Sequence, residues 1–192
     1  MNNSFKTVAL IGKYKSPEIA GHLQRLARFL ESHAVTVLVD RLTAVHLENN
    51  AYPVLALEEI GKRANLAIVI GGDGTMLNIA RTFAPHNVPL VGVNQGRLGF
   101  LTDISVDTML ETIGAILDGK YVTEERMLLS AEIFSNNQSV LKVLAFNDVV
   151  INRGGFGVMI DLSVDIGDSY VCDLRADGVI VATPTGSTAY AM

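Results

Sequence analysis

The chain has 192 residues, enough for one large domain or two small ones. Hydrophobic residues make up 49% and charged residues 18%, so a sizeable core is available and a disordered chain is excluded. A net charge of −5 supplies no basic field to displace nucleic-acid counterions, so no nucleic-acid partner is expected.

No apolar run reaches about 18 residues, so no transmembrane span and no membrane partner are expected. The N-terminus, MNNSFKTVALIG, has too short an apolar stretch and no small-residue cleavage site for a signal peptide. The single cysteine, Cys172, excludes an internal disulfide framework and fits a reducing, cytoplasmic location. It sits among strand formers in SYVCDLR and reads as a small residue packed in or near a sheet rather than a nucleophile.

In chain order, the first half alternates strand and helix signals. Four apolar runs, TVALI (7–11), VTVLV (35–39), NLAIVI (65–70) and VPLVGV (88–93), have the composition of parallel strands buried on both faces. Between the first two, Ser16 and Pro17 open a helical pattern in which Leu23, Leu26, Ala27 and Leu30 form one apolar stripe. Shorter helices are expected around 55–64 and 75–83. Another is expected over 105–120, with Ser105 as cap and Gly119 as stop. This alternation predicts a doubly wound, Rossmann-like α/β domain.

The second half changes character. In MIDLSVDI (159–166), Ile160, Leu162, Val164 and Ile166 fall on one face and Asp161, Ser163 and Asp165 on the other, a solvated one. Gly167-Asp168 reads as a two-residue hairpin turn, and SNNQ (135–138) makes a second. An antiparallel all-β domain is therefore expected after a boundary near 120–126, giving domains 1–122 and 123–192. The chain ends on a strand and a Gly/Thr/Ser turn, which reads as an incomplete β domain.

The strand NLAIVI runs into Gly71-Gly72-Asp73-Gly74-Thr75 and then a helix, the context of an anion site at a helix N-terminus. The dinucleotide fingerprint needs a further glycine at position 77, which is Leu, and no Walker Gly-Lys-Ser/Thr follows. Asp73 is then unexplained by either motif. It fits a helix cap as well as a functional group. As a functional group it has three readings: a ligand for a phosphate-bound metal, an acceptor of a hydroxyl proton, or a hydrogen-bond partner of a ribose.

Two further clusters bear on this. AFNDVVI (145–151) places Asn147-Asp148 in an otherwise apolar strand, where a ligand or a local turn must satisfy them. DGVIVATPTGSTAY (177–190) ends a strand in Thr183, Thr185, Gly186, Ser187, Thr188 and Tyr190, a hydroxyl-rich turn that suits phosphate or sugar hydroxyls and also occurs without ligands. The four histidines, His22, His33, His46 and His86, lack metal-ligand spacing and read as surface or packing residues. Met76, Met109 and Met127 read as core fillers. Arg97, between two glycines, suits either a phosphate contact or a brace for its loop.

Taken together and in order, GGDGT, NQGRLGFLTD (94–103), FNDVVI and DGVIVATPTGSTAY resemble bacterial NAD kinases over essentially the whole chain. GGDG alone is shared with phosphofructokinases and lipid kinases, whereas NQGRLGFLTD and TPTGSTAY are more specific. The resemblance implies transfer of the terminal phosphate of ATP to the 2′-hydroxyl of the adenosine ribose of NAD, giving NADP. It implies an α/β domain and a β domain with NAD between them, a divalent cation such as magnesium with the triphosphate, and a homodimer or homotetramer.

By the same resemblance, Asp73 orients and deprotonates the ribose hydroxyl, and the backbone of Gly71, Gly72, Gly74 and Thr75 meets phosphate. Asp73, Gly74, Asn147, Asp148, Arg175, Asp177, Thr188, Ala189 and Tyr190 bind NAD. Asn147 and Asp148 match an Asn-Glu pair on the ribose, with the second member one methylene shorter here. Arg175 and Asp177 match the nicotinamide end, and Thr188, Ala189 and Tyr190 the adenine side. The resemblance assigns no metal ligand. A carboxylate at a helix N-terminus is a weak base, so positioning is expected to matter more than full proton removal. The alternatives are a non-catalytic dinucleotide-binding module and a lipid kinase of the related superfamily.

Overall fold

Val, Ile and Leu runs without polar alternation are accommodated where both faces of a sheet are covered. In the computed structural model, which describes residues 5–13, 16–47, 52–96, 98–155 and 157–191, they are. The chain divides into two compact units, Met1–Thr123 and Glu124–Met192.

The first unit holds strands β1 (Thr7–Gly12), β2 (Thr36–Asp40), β3 (Val54–Leu55), β4 (Leu66–Ile70), β5 (Leu90–Asn94) and β6 (Ile104–Ser105) in one sheet of order β3-β2-β1-β4-β5-β6. Every neighbouring pair is parallel. Helices α1 (Ala20–Ser32), α2 (Arg41–Ala44), α3 (Leu57–Arg63), α4 (Asp73–Phe83) and α5 (Met109–Leu117) connect them. Strand side chains alternate faces. Val8, Leu10, Leu66, Ile68 and Ile70 join a core with α1 and α5, while Ala9, Ile11, Ala67 and Val69 join another with α3 and α4. All five residues of β4 are buried. Each fully buried Leu or Ile contributes about 1.5–3 kcal/mol, so β4 anchors the loop that follows it. The strand order reverses between β1 and β4. In such sheets ligands bind outside the carboxyl ends of the strands at that reversal, and Gly71–Thr75 lies there, directly after β4.

The expected apolar stripe of α1 is buried in full. Gly119 ends α5 with φ +85°, the N–H of Lys120 reaching Ala115 O and that of Gly119 reaching Ile116 O, a Schellman cap. The start of α5 corrects the sequence expectation. Ser105 belongs to β6, paired beside β5, and the helix opens four residues later after Thr108, which makes no side-chain cap bond. Ser16 does precede a helical turn with Pro17 at its start, but its hydroxyl bonds Glu18 and lies 3.4 Å from Gln95 Oε1 instead of capping. Met76 and Met109 are buried, whereas Met127 is 63% exposed in the irregular stretch before the next strand, where no element covers it. His86 packs its ring against Gly61 of α3, and exposed His33 bonds Phe29 O. No described helix is long and apolar enough to cross a membrane.

The second unit is antiparallel. β7 (Leu129–Ser135) pairs with β8 (Gln138–Ala145), β9 (Asp148–Asn152) with β12 (Gly178–Ala182), and β10 (Ile160–Ile166) with β11 (Ser169–Ala176). Asn136 and Asn137 both take positive φ, 50° and 61°, as a type I′ turn requires. Gly167, φ +60°, turns β10 into β11. A bulge between Val164 and Asp165 ends the alternation of β10, so Ile166 stands 72% exposed while Ile160, Leu162 and Val164 are partly buried. Cys172 lies opposite Val164 within this ribbon and is half-buried.

Candidate functional site

The turn after β4 uses its glycines for different purposes. A Cβ on Gly71 would come 2.9 Å from Thr75 Oγ1, and its N–H already donates to Val93 O, 2.9 Å. The Thr75 N–H donates to Gly72 O, 3.0 Å. Gly71 and Thr75 therefore build the turn, and their amides are engaged. Gly72 and Gly74 differ: a Cβ on either would meet nothing within 4 Å, and neither has positive φ. Among the described residues the N–H groups of Gly72, Asp73 and Gly74 have no hydrogen-bond partner. They are the first-turn donors of an 11-residue helix, an arrangement suited to an anion.

Asp73 is the first residue of α4 but does not cap it; Gly72 holds the cap position, without a side-chain bond. The Asp73 carboxylate instead reaches the segment after β5. Oδ2 accepts from the Phe100 N–H at 2.9 Å, and Oδ1 accepts from the Leu101 N–H at 2.9 Å and lies 3.4 Å from the Thr102 hydroxyl. A carboxylate offers about four lone-pair sites, so Oδ1 is filled and Oδ2 keeps one. The receiving segment is itself braced. Asn94 Nδ2 donates to Thr102 O, the Gly99 N–H donates to the same oxygen, and the Gly96 N–H donates to Asn94 Oδ1, all at 3.1 Å. Thr102 is fully buried, and a side chain on Gly92 would overlap Leu101 O. Asn94, Gly99 and Thr102 were legible only as parts of the NQGRLGFLTD motif; the donors to Asp73 that they brace, Phe100 and Leu101, lie 27 and 28 residues away in sequence and have no local signal. Arg97 lies outside the described residues.

In the second unit Asn147 occupies the bend between β8 and β9, and Asp148 opens β9 opposite Ala182. The turn after β12 closes onto this bend. The Thr183 N–H donates to Asn147 O, 2.8 Å, and the Thr183 hydroxyl donates to Phe146 O, 2.8 Å, and accepts from the Gly186 N–H, 3.1 Å. Gly186 lies so close to the Asn147 main chain that a Cβ would overlap its carbonyl. The local turn thus satisfies the carbonyl of Asn147, while its side-chain Oδ1 is buried without a partner among the described residues. That orphaned acceptor is the kind of group a ligand donor satisfies.

Thr188, Ala189 and Tyr190 follow in and after the 3₁₀ turn Gly186–Thr188, all exposed, with Tyr190 at 82%. Arg175 lies on the separate β10–β11 ribbon, its Nε 3.9 Å from Asp161 Oδ1 with both side chains largely exposed, so Asp161 stands on a solvated face with a loose ion pair across the ribbon. Asp177 pairs with Arg153, Nε to Oδ1 2.9 Å. Asn147 and Asp148 are thus brought together with Thr183 and Gly186, while Arg175 and Asp177 are held by ion pairs of their own. No group of three or more His, Cys, Asp or Glu side chains capable of holding a metal occurs among the described residues.

A doubly wound sheet with an open helix N-terminus at its reversal point, followed by an antiparallel unit, is an arrangement suited to an anionic ligand at the carboxyl ends of the strands. Family models described as the ATP-NAD kinase N-terminal domain and the ATP-NAD kinase C-terminal domain match residues 8–121 and 146–192. The chain belongs to the ATP-NAD kinase family. It is 62% identical over 192 residues to an NAD kinase of Nitrosospira multiformis, covering 100% of this chain and 65% of that one. It is 59% identical over 188 residues to an NAD kinase of Nitrosomonas europaea, covering 98% and 64%. The chain therefore spans somewhat less than two thirds of these curated relatives. Among solved structures, yeast NADH kinase complexed with NADH aligns with a TM-score of 0.85 at 25% identity, covering 99% of this chain and 61% of that one. An NAD kinase from Archaeoglobus fulgidus in complex with ATP aligns with a TM-score of 0.68 at 28% identity, covering 96% and 64%.

Proposed function

We propose that the chain is the main part of an NAD kinase, which transfers the terminal phosphate of ATP to the 2′-hydroxyl of the adenosine ribose of NAD and releases ADP and NADP. One observation carries the reading: Gly72 and Gly74 leave open backbone and unpaired N–H groups at a helix N-terminus, beside a carboxylate fixed by main-chain donors. The open amides suit the phosphate donor. The carboxylate, placed against a hydroxyl rather than a phosphate, suits the acceptor.

The ribose oxygen forms a bond to the terminal phosphorus as the bridging oxygen to ADP departs with the bond electrons. The hydroxyl proton passes toward Asp73 Oδ2, the oxygen that keeps a lone-pair site. The loose transition state of phosphoryl transfer makes alignment the main contribution, and the two main-chain bonds to Asp73 supply it. Asn147, with its unpartnered Oδ1, and Asp148 serve the ribose of NAD, Thr188, Ala189 and Tyr190 its adenine side, and Arg175 and Asp177 its nicotinamide end. A divalent cation such as magnesium would accompany the triphosphate and would offset the charge that develops as the bond to ADP breaks.

In this reading residues 1–122 carry the donor-side loop and 123–192 the first part of the dinucleotide-binding domain, in a cytoplasmic homodimer or homotetramer. Support comes from the curated NAD kinases above 50% identity and from the neighbours solved with NADH and with ATP. The test is incubation of the full-length protein with NAD, ATP and magnesium, reading NADP with an NADP-specific dehydrogenase. NADP formation is expected. Dinucleotide binding without NADP would make the chain a binding module, and phosphorylation of a lipid alcohol would make it a lipid kinase.

A further inference from the structure

Gly99 does not take the left-handed backbone that would call for glycine. Its missing side chain answers to space instead. A Cβ at Gly99 would overlap Asp73 Oδ1 and Thr102 Oγ1, both side-chain atoms, and would also approach Asp73 Cγ at 3.0 Å. The volume that Gly99 leaves is occupied by the Asp73 carboxylate. We propose that Gly99 is a positioning residue for Asp73, its missing methyl allowing the carboxylate to seat on the Phe100 and Leu101 N–H groups with Oδ2 left to the acceptor hydroxyl. The proposal rests on the role given to Asp73 above.

The rest of the seat is stiff. Gly99 is tied by its own N–H to Thr102 O, and Thr102 is buried and held by Asn94. When a methyl is added at Gly99, the main chain of the seat is held and the two side chains it meets, the Asp73 carboxylate and the Thr102 hydroxyl, are what yields. A displacement of about 1 Å in an aligned group lowers turnover on the order of 100-fold, with the Michaelis constants for ATP and NAD little changed.

The experiment is a double-mutant cycle in the full-length protein, comparing Gly99→Ala, Asp73→Ala and the double variant. Asp73→Ala removes the carboxylate atoms with which the new methyl collides and leaves the contact with Thr102 Oγ1. Gly99→Ala alone is expected to lower kcat about 100-fold, and adding it to Asp73→Ala is expected to lower kcat no further. Wild-type kcat in Gly99→Ala, or fully additive losses, would overturn the proposal. Amide hydrogen exchange at Phe100 and Leu101 reads the seat without reference to turnover. Both amides are expected to be protected in the wild type and to exchange faster in either single variant, with no further gain in the double. Unprotected amides in the wild type, or protection unchanged in Gly99→Ala, would overturn it as well. If the wild type makes no NADP, the proposed function fails while the exchange data still decide on the seat, so the two failures are distinguishable.

Discussion

The turn after β4 and the turn after β12 read alike in sequence, since each follows a strand and sets glycine beside threonine. Their glycines do opposite things. Gly72 and Gly74 face open space, and nothing inside the first unit demands them. Gly186 is pressed onto the main chain of Asn147, and the second unit cannot form that turn with a larger residue. The comparison separates glycines that face open space from glycines that serve the packing of the chain. Asp73 and Asn147 show the contrast in the opposite order: the Asp73 carboxylate is bonded through both oxygens, whereas the Asn147 side-chain oxygen is buried with no partner among the described residues.

Breaking each side in turn gives ranked expectations. The largest effect is expected from Asp73→Asn. An amide oxygen accepts one of the two N–H groups at Phe100 and Leu101, and the amide nitrogen then faces the other donor. Turnover should fall at least about 100-fold, while NAD affinity measured by calorimetry should change far less. Unchanged turnover would remove Asp73 from the reaction. Next, Gly186→Ala should destabilise the second unit by about 1–3 kcal/mol, because the methyl meets main chain that cannot rotate away. Urea unfolding followed with a probe in β9 or β12 would measure it.

The smallest effect concerns Glu18. The Ser16 hydroxyl, then its own backbone N–H, hold the exposed Glu18 carboxyl below its ordinary range, with Lys13 and His46 adding a weaker pull. A lowered folded-state value means that the stabilisation is present above the unfolded-state value and is lost as pH falls through the folded one. Glu18→Gln should therefore be slightly less stable than the wild type near neutral pH and indistinguishable from it in acid, as thermal melts across pH 2–7 (roughly, spanning the carboxylate range) would show.

Features set by local chemistry were legible in the sequence. The four apolar runs became β1, β2, β4 and β5, the stripe of α1 is buried, and the two expected turns take positive φ at Asn136, Asn137 and Gly167. Elements set by distant partners were not. β3 and β6 have two residues each, too few for any periodicity, and exist because they extend the edges of the sheet. Pairing with β5 took Ser105 into a strand and away from the cap assigned to it. At the site, the sequence pointed to Gly71–Thr75 but not to which amides were open, because Gly71 is engaged by Val93 on a neighbouring strand. Gly99 was legible only within its motif, since its reason for being glycine is a side chain 26 positions earlier in the chain, a difference of position 99 and position 73.

The most direct test of the central claim, that the open backbone of this turn holds the phosphate donor, is Gly74→Ala with ATP affinity and thermal stability measured on the same sample. Alanine is favoured over glycine inside a helix by roughly 0.5–1 kcal/mol, so stability should hold or rise slightly. ATP affinity should fall about tenfold or more, a loss of about 1.4 kcal/mol, because the methyl stands where phosphate approaches the backbone. Unchanged ATP affinity in a stably folded Gly74→Ala protein would contradict the account.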